Sequence, residues 1–283
     1  MLFFFLLVGS LVAQDTPIGT PATQVPAAAA PAASENADEL RKEAQNPIAS
    51  LISVPVQNNS NFGVGPDGRV QNIVNIQPVI PVSLSANWNL IMRIITPIVS
   101  QPTVSQPINQ SATGFGDLNP SFFLSPAKAS QIIWGVGVAV VLPTATNSLL
   151  GQGTWSMGPT IVVLTQPGKW TLGALVNNVT SFTGQSGRAD VNQMLFQYFI
   201  NYNLPKGYYI TWQPTITANW EATNGGRWVV PFGGGIGRIM RLGFQPVNVT
   251  AQFYGNAVHP AGASSWGMKL QIAFLFPKAR PAR

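Results

Sequence analysis

Cysteine is absent from this chain, and histidine occurs once, at His259. Disulfide scaffolds, cysteine nucleophiles, thiolate metal sites and multi-histidine metal centres are thereby excluded. Charge is scarce: Asp, Glu, Lys and Arg make up 8% of the residues, against about 25% in typical soluble domains. An ordinary cytosolic enzyme does not fit that shortage. Beyond the first dozen residues no apolar run approaches the ~20 residues that a membrane-spanning helix needs. What is plentiful is hydrophobic side chain (46%), with 27 glycines and 24 prolines, a composition that argues against a helical bundle.

The chain divides into three parts. Residues 1–14 read as a signal peptide, with Leu2 to Ala13 apolar and too short to span a bilayer, although the positively charged n-region is missing. Residues 15–46 form a Pro/Ala-rich low-complexity spacer expected to be disordered. It closes in one charge-dense stretch, Glu35 to Gln45, that reads as a short helix ending before Pro47. Residues 47–283 change to period-two alternation. Twelve strands are expected there: 50–61, 70–82, 88–100, 115–125, 132–143, 154–165, 170–181, 191–203, 208–221, 227–237, 247–257 and 265–276. Turn chemistry such as Pro66-Asp67-Gly68, Pro205-Lys206-Gly207 and Asn224-Gly225-Gly226 separates them.

Twelve antiparallel strands suit a double sandwich, a propeller or a closed barrel, and the chemistry of the two faces separates these. In 208–221 one parity reads Tyr208, Ile210, Trp212, Pro214, Ile216, Ala218 and Trp220; the other reads Tyr209, Thr211, Gln213, Thr215, Thr217, Asn219 and Glu221. In 265–276, Trp266, Met268, Leu270, Ile272, Phe274 and Phe276 oppose Lys269 and Gln271. A soluble sandwich would carry Lys and Glu outward. Here the polar face is mostly uncharged and the other holds the large aromatics, which is the inversion expected when lipid lies outside and water inside. The in-strand charges Arg93, Asp117, Glu221, Arg227 and Lys269 all fall on the polar parity, as they should when a basic side chain on the lipid face costs about 2–4 kcal/mol at mid-bilayer. Trp88, Trp134, Trp170 and Tyr208 open strands rising from one rim. Trp155, Trp228 and Trp266 open descending strands, and Trp220 closes a rising one. They are expected as two membrane-interface belts, where an indole buries its ring and keeps its N–H wet.

The expected fold class is therefore all-β: a closed antiparallel transmembrane β-barrel of about twelve strands, in the outer membrane of a Gram-negative bacterium. The short connections 83–87, 126–131, 166–169, 204–207 and 238–246 are expected to face the periplasm. The longer ones, 62–69, 101–114, 144–153, 182–190, 222–226 and 258–264, are expected outside. Prolines inside the strands fit badly, because each lacks a ladder donor and a closed barrel has no free edge; Pro78 and Pro214 have no evident accommodation.

Several segments have a familiar cast. Asn46-Pro47-Ile48-Ala49-Ser50-Leu51-Ile52-Ser53-Val54-Pro55 with Gln57-Asn58-Asn59 resembles the opening of a bacterial outer-membrane barrel family catalogued as meta-pathway phenol-degradation proteins, often labelled transporter. The resemblance continues through Asn75-Ile76-Gln77-Pro78-Val79-Ile80-Pro81, Gly114-Phe115-Gly116-Asp117, Leu142-Pro143-Thr144-Ala145-Thr146, Arg188-Ala189-Asp190-Val191-Asn192 and Phe274-Leu275-Phe276-Pro277-Lys278. It covers roughly 46–278 and implies a membrane barrel with a link to aromatic catabolism, but no catalytic residues.

Other chemistry is thin. Gly233-Gly234-Gly235 with Gly237 precedes no helix and no GKS/T, so small residues easing a crowded wall explain it better than a phosphate loop. His259 with Ser264 or Ser265 and Asn256 could imitate a hydrolase, but nothing in the spacing fixes nucleophile and base together. Asp117, Asp190 and Glu221 lie on different hairpins, so paired-carboxylate catalysis finds no support. No catalytic residue, metal or cofactor is expected. From residue 47 on there are thirteen bases and four acids, scattered rather than clustered. Outer-membrane lipid is the expected partner rather than nucleic acid, together with the barrel-assembly machinery and a small-molecule solute; the oligomeric state is open.

The functional expectation is a channel or uptake protein for passive passage of small solutes, aromatic or hydrophobic ones included. Its pore lining would comprise Asn75, Gln77, Arg93, Asp117, Asn119, Gln193, Gln197, Thr215, Asn219, Glu221, Lys269 and Gln271. Arg93 and Lys269 would disfavour cations, with Asp117 and Glu221 partly offsetting them. The alternatives are a closed structural or adhesive barrel, narrow enough to be plugged by side chains or by residues 35–46, and a secreted soluble β-sandwich binding protein.

Overall fold

A computed structural model describes residues 40–49, 51–103, 110–128, 130–223 and 225–277. The expected signal peptide and most of the spacer lie outside these residues. The strands are β1 (Ile52–Val64), β2 (Arg69–Ile76), β3 (Val79–Ser83), β4 (Trp88–Gln101), β5 (Ala112–Phe115), β6 (Asn119–Pro126), β7 (Ile132–Val141), β8 (Thr154–Thr165), β9 (Trp170–Gly184), β10 (Asn192–Asn203), β11 (Tyr208–Trp212), β12 (Thr215–Asn219), β13 (Trp228–Leu242), β14 (Gln245–Val258) and β15 (Trp266–Phe276). All pairings are antiparallel. The ladder runs from neighbour to neighbour in chain order, β9 to β10 included, and closes between β15 and β1, so no edge is left. Closure removes the two-sheet sandwich as an alternative.

Three of the fifteen segments are second halves of interrupted strands, leaving twelve staves as expected. β2 and β3 break at Gln77-Pro78 without losing register: Asn72↔Ser100 before the break and Val79↔Arg93 after it belong to one alignment. Pro78 lacks its donor but its carbonyl still accepts the Ile94 N–H at 3.1 Å, just as Pro55 accepts Gln77 N–H and Pro97 accepts Gly116 N–H, both at 2.9 Å. β5 and β6 are separated by a bulge at 116–118. β11 and β12 break at Gln213-Pro214, and here the wall is weaker. β11 pairs with β13 through Thr211↔Gly235, and the ladder resumes only at Thr217↔Val229. The stretch around Pro214 thus faces the stretch around Pro231 with no ladder pairing, and β13 also bulges against β14 between Val230 and Pro231. Two prolines meeting across one seam remove two donors at the same place.

The short-turn rim holds connections 84–87, 127–131, 166–169, 204–207 and 243–244; the other rim holds 65–68, 102–111, 142–153, 185–191, 220–227 and 259–265. One expected turn is corrected. Residues 238–242 continue β13, and the hairpin is only Gly243-Phe244, with Gly243 at φ 61°, the left-handed conformation that a two-residue hairpin requires. Arg238, read as a turn charge, lies in the strand with its guanidinium 4.5 Å from the Tyr208 ring centre.

The outside is apolar. Val136, Val138, Ile161, Val163, Ile236, Val249, Phe253 and Leu270 are exposed, and so are all eight expected belt aromatics, Trp88, Trp134, Trp155, Trp170, Tyr208, Trp220, Trp228 and Trp266. Several belt rings pack together: Trp88 on Trp134 and Trp220 on Trp228 edge-on, and Trp266 stacked on Phe62. One outward patch is polar. Asn58, Ser60 and Asn72 form a closed triangle in which Asn58 Nδ2 donates to Asn72 Oδ1 (2.7 Å), Ser60 Oγ to Asn58 Oδ1 (3.0 Å) and Asn72 Nδ2 to Ser60 Oγ (3.0 Å). Mutual pairing makes the polar groups tolerable beside hydrocarbon.

Residues 40–49 are not free spacer. Residues 40–44 are helical, and the segment packs at the short-turn rim, with Leu40 and Ala44 against buried Ala49, Leu51, Ala273 and Leu275. Residues 35–39 of the expected helix lie outside the described residues.

Two outcomes follow from this architecture. Ile272→Arg, on the lipid face between Val56 and Val249, should cost about 2–4 kcal/mol and sharply reduce heat-modifiable barrel in outer-membrane fractions. Gln271→Arg, next door and facing inward, should leave most of it; equal losses would contradict the face assignment. In hydrogen exchange, amides facing the seam between 212–216 and 230–234 should exchange well ahead of those between β14 and β15.

Candidate functional site

Inward positions converge on a set of linked cavities. Asn75, Gln77, Arg93, Asn119, Gln197, Thr215 and Lys269 line one mid-barrel cavity of about 250 Å³. Gln77, Arg93 and Gln197 also line the next, of about 150 Å³, which Gln271 joins and which reaches residues 43–49 at the short-turn rim. Toward the long-loop rim the mid-barrel cavity shares Asn119, Asn177 and Leu195 with a third, of about 510 Å³, lined by Asp117, Gln193 and Asn219. It shares Asn59, Asn75, Thr215 and Lys269 with a fourth, of about 390 Å³. Eleven of the twelve expected pore-lining residues therefore face the interior. Glu221 does not: it sits exposed in the turn after β12, its N–H bonded to Asn219 Oδ1 at 3.2 Å.

Two cations face the mid-barrel cavity. Arg93 Nη2 donates to Gln77 Oε1 at 2.8 Å, so the break before Pro78 presents its amide to the guanidinium. Lys269 Nζ donates to the Gln213 carbonyl at 3.2 Å and lies 5.1 Å from the Tyr254 ring centre. The Gln213-Pro214 break thus serves Lys269 as the Gln77-Pro78 break serves Arg93. Among the described residues no carboxylate pairs with either cation; the ion pair of Arg69 with Asp67 is exposed at the start of β2.

The lumen is two-sided, which the parity reading did not anticipate. Phe123, Val162, Leu164, Leu175 and Phe199 point inward from β6, β8, β9 and β10 and form one apolar cluster with Ile48, Val79 and Ile91. A signal was present: stretches such as Ile161-Val162-Val163-Leu164 are apolar on both parities, as expected of strands covered on both faces. The opposite wall, from β14 to β2, carries Gln252, Lys269, Gln57, Asn59 and Asn75. Between β11 and β14, Tyr209 lies across Gly237, where a Cβ would collide with its ring, and donates from its hydroxyl to Asn248 Oδ1 at 2.6 Å. That contact accounts for Gly237 in the glycine-rich stretch.

Both mouths are narrowed. At the short-turn rim Gln45 Nε2 donates to Asn203 Oδ1 (2.8 Å), Thr171 Oγ1 donates to Gln45 Oε1 (2.7 Å), and Gln166 Nε2 donates to the Lys42 carbonyl (2.8 Å). Plugging by residues 35–46 was among the expectations, but the partners of Gln45 were not, because Asn203 and Thr171 lie far along the chain. At the other rim Asp117 accepts the N–H groups of Ala145 (3.1 Å) and Gln152 (2.6 Å), and Gln152 Nε2 reaches Gln193 Oε1 (2.9 Å). Arg188 Nη1 donates to the Ser148 carbonyl at 3.0 Å. Three of the segments that carry the family resemblance, around Asp117, Thr144 and Arg188, meet in this fold-in of the 142–153 loop. Asp117 is thereby engaged with backbone, and among the described residues it forms no ion pair with Arg93.

His259 is exposed, its Nδ1 3.0 Å from the Pro260 carbonyl, while Asn256 Nδ2 donates to the Ser264 carbonyl (2.7 Å) and hydroxyl (3.1 Å). No serine and histidine are joined among the described bonds. Among the described residues no group of three or more His, Cys, Asp and Glu is placed to hold a metal.

Residues 53–265 match the protein family described as "Putative MetA-pathway of phenol degradation". The chain belongs to that family. Among solved structures, the COG4313 outer membrane channel from Pseudomonas putida F1 superposes with a TM-score of 0.57 at 15% identity, covering 82% of this chain and 97% of the other. The NanC porin superposes with a TM-score of 0.50 at 10% identity, covering 80% and 99%. No curated protein matches the chain. At such identities these two share its fold. With the family, the closed apolar-walled barrel is that of a Gram-negative outer-membrane protein.

Removing both backbone contacts of Asp117 tests the loop anchor. Asp117→Ala should cost about 1.5–3 kcal/mol per charge-assisted bond and release the 142–153 loop, seen as faster proteolysis there while the heat-resistant barrel persists.

Proposed function

We propose that this protein is a narrow outer-membrane channel for passive passage of small solutes, and not an enzyme. The observation that carries this is the series of cavities that share lining residues from one rim to the other, walled by amides and two cations inside an apolar exterior. The short-turn rim, with residues 40–49, faces the periplasm, as in barrels with short periplasmic turns and longer outer loops. The apolar inner sector suits solutes with hydrophobic or aromatic parts, in keeping with the description of the family. Gln45, held by Asn203 and Thr171, acts as a latch that keeps the periplasmic mouth shut most of the time.

The same latch favours a second reading, a closed structural barrel. Planar-bilayer recording of the full chain separates the two. We expect small, brief single-channel steps from the wild type and several-fold more open time from Gln45→Ala, which loses two neutral hydrogen bonds of about 1 kcal/mol each. Absence of steps from both proteins removes the passage reading.

A further inference from the structure

We infer that the mid-barrel cavity is a binding site for a small organic monocarboxylate, with Arg93 and Lys269 receiving its head and the apolar inner sector its body. The inference rests on the passage reading only for its biological setting; the site itself is argued from geometry.

Two side chains of like charge open onto one cavity of about 250 Å³. Each is oriented by neutral groups alone: Arg93 by Gln77 Oε1, and Lys269 by the Gln213 carbonyl and the Tyr254 ring. The Tyr254 hydroxyl is in turn fixed on Gln252 Oε1. A guanidinium has five N–H donors and an ammonium three, so among the described residues most of their donors have no protein acceptor. None of their nitrogens is among the sealed, unpartnered polar atoms, so the free donors face the cavity. Placing two cations on a confined cavity that has no carboxylate in its lining is unfavourable twice over, through desolvation and mutual repulsion. An anion between them reverses both terms, and a carboxylate matches the guanidinium fork. No acid lines this cavity: Asp117 is bound to loop backbone, Asp67, Asp190 and Glu221 are exposed, and Glu43 lines the adjoining cavity at the short-turn rim.

The rest of the cavity selects the body of the ligand. Ile95, Phe123, Leu175 and Leu195 line the same space as the amides. A fully hydrated inorganic anion would leave that surface uncovered, whereas a carboxylate on a compact apolar group covers it. The volume restricts the body to about one ring or a short chain.

The test uses purified full-length protein in detergent, with benzoate as probe and benzyl alcohol and benzylammonium as controls of equal shape. Titration calorimetry should show saturable benzoate binding, with neither control competing. Arg93→Gln and Lys269→Gln should each weaken benzoate about tenfold, the loss of one charge-assisted contact, and Arg93→Lys should fall between wild type and Arg93→Gln. Heat-modifiable gel mobility identifies variants that remain folded. In bilayers benzoate should reduce the chloride current of the wild type and spare that of the Arg93→Gln, Lys269→Gln double variant. Benzoate binding by a protein that passes no ions supports the site and removes the passage reading. Ion passage with benzoate no tighter than benzyl alcohol, or with binding unchanged in the folded double variant, overturns the site and leaves passage standing.

Discussion

Hydrocarbon offers no hydrogen-bond partner, so every backbone N–H and C=O that faces it must be satisfied within the wall. The rest of this structure follows from that constraint. It requires the ladder to close, as it does between β1 and β15. Period-two alternation then puts bulky apolar residues on the lipid side and sends Arg93, Lys269 and the amides inward. Where the wall yields, it does so in restricted ways. Pro55, Pro78 and Pro97 give up a donor and keep an acceptor, and the Asn58, Ser60 and Asn72 triangle satisfies itself. The exception is the seam around Pro214 and Pro231, where pairing lapses on both strands.

The interruptions also shape the interior. Gln77 and Gln213 each precede the proline that breaks a strand, and each contacts one of the two lumen cations. At Gln77 it is the side-chain amide that turns to the cation; at Gln213 it is a carbonyl released from the ladder. A feature that weakens the wall thus supplies the acceptors that hold Arg93 and Lys269 in place. Narrowing at the two mouths uses different means: a separate segment latched through Gln45 at one end, and a loop drawn inward by Asp117 at the other.

Much of this was legible in the sequence. The twelve staves, the apolar outward parity and the outward exposure of the aromatics expected as belts follow from alternation, because lipid and water impose opposite demands on successive residues. Less visible was anything decided between strands. The β13 hairpin was misplaced because Arg238 and Arg241 look like turn residues, whereas Arg238 stacks on Tyr208 across the wall. Pro78 and Pro214 seemed incompatible with a closed ladder, since continuity of register across a break cannot be read from one strand. The apolar sector went unread because Phe123, Leu175 and Phe199 share the inward parity with Gln197 and Arg93, and parity assigns a face but not its chemistry. Glu221 was placed in the lumen by parity alone, but the strand ends before it. The 35–46 segment was legible as a short helix able to plug the barrel, but not the bonds of Gln45, as its partners Asn203 and Thr171 lie far along the chain.

The native absence of cysteine permits a direct test of the inside-out arrangement. Single cysteines placed at each position from 268 to 274 in β15, in protein assembled into lipid vesicles, can be scored for reaction with a charged maleimide and, once labelled, for quenching by a nitroxide in the acyl chains. The account predicts that positions 269 and 271 favour the aqueous reagent, that 268, 270, 272 and 274 show lipid quenching, and that 273, buried against Leu40 and Ala44, is protected from both. Uniform aqueous reactivity, or alternation of the opposite phase, would contradict it.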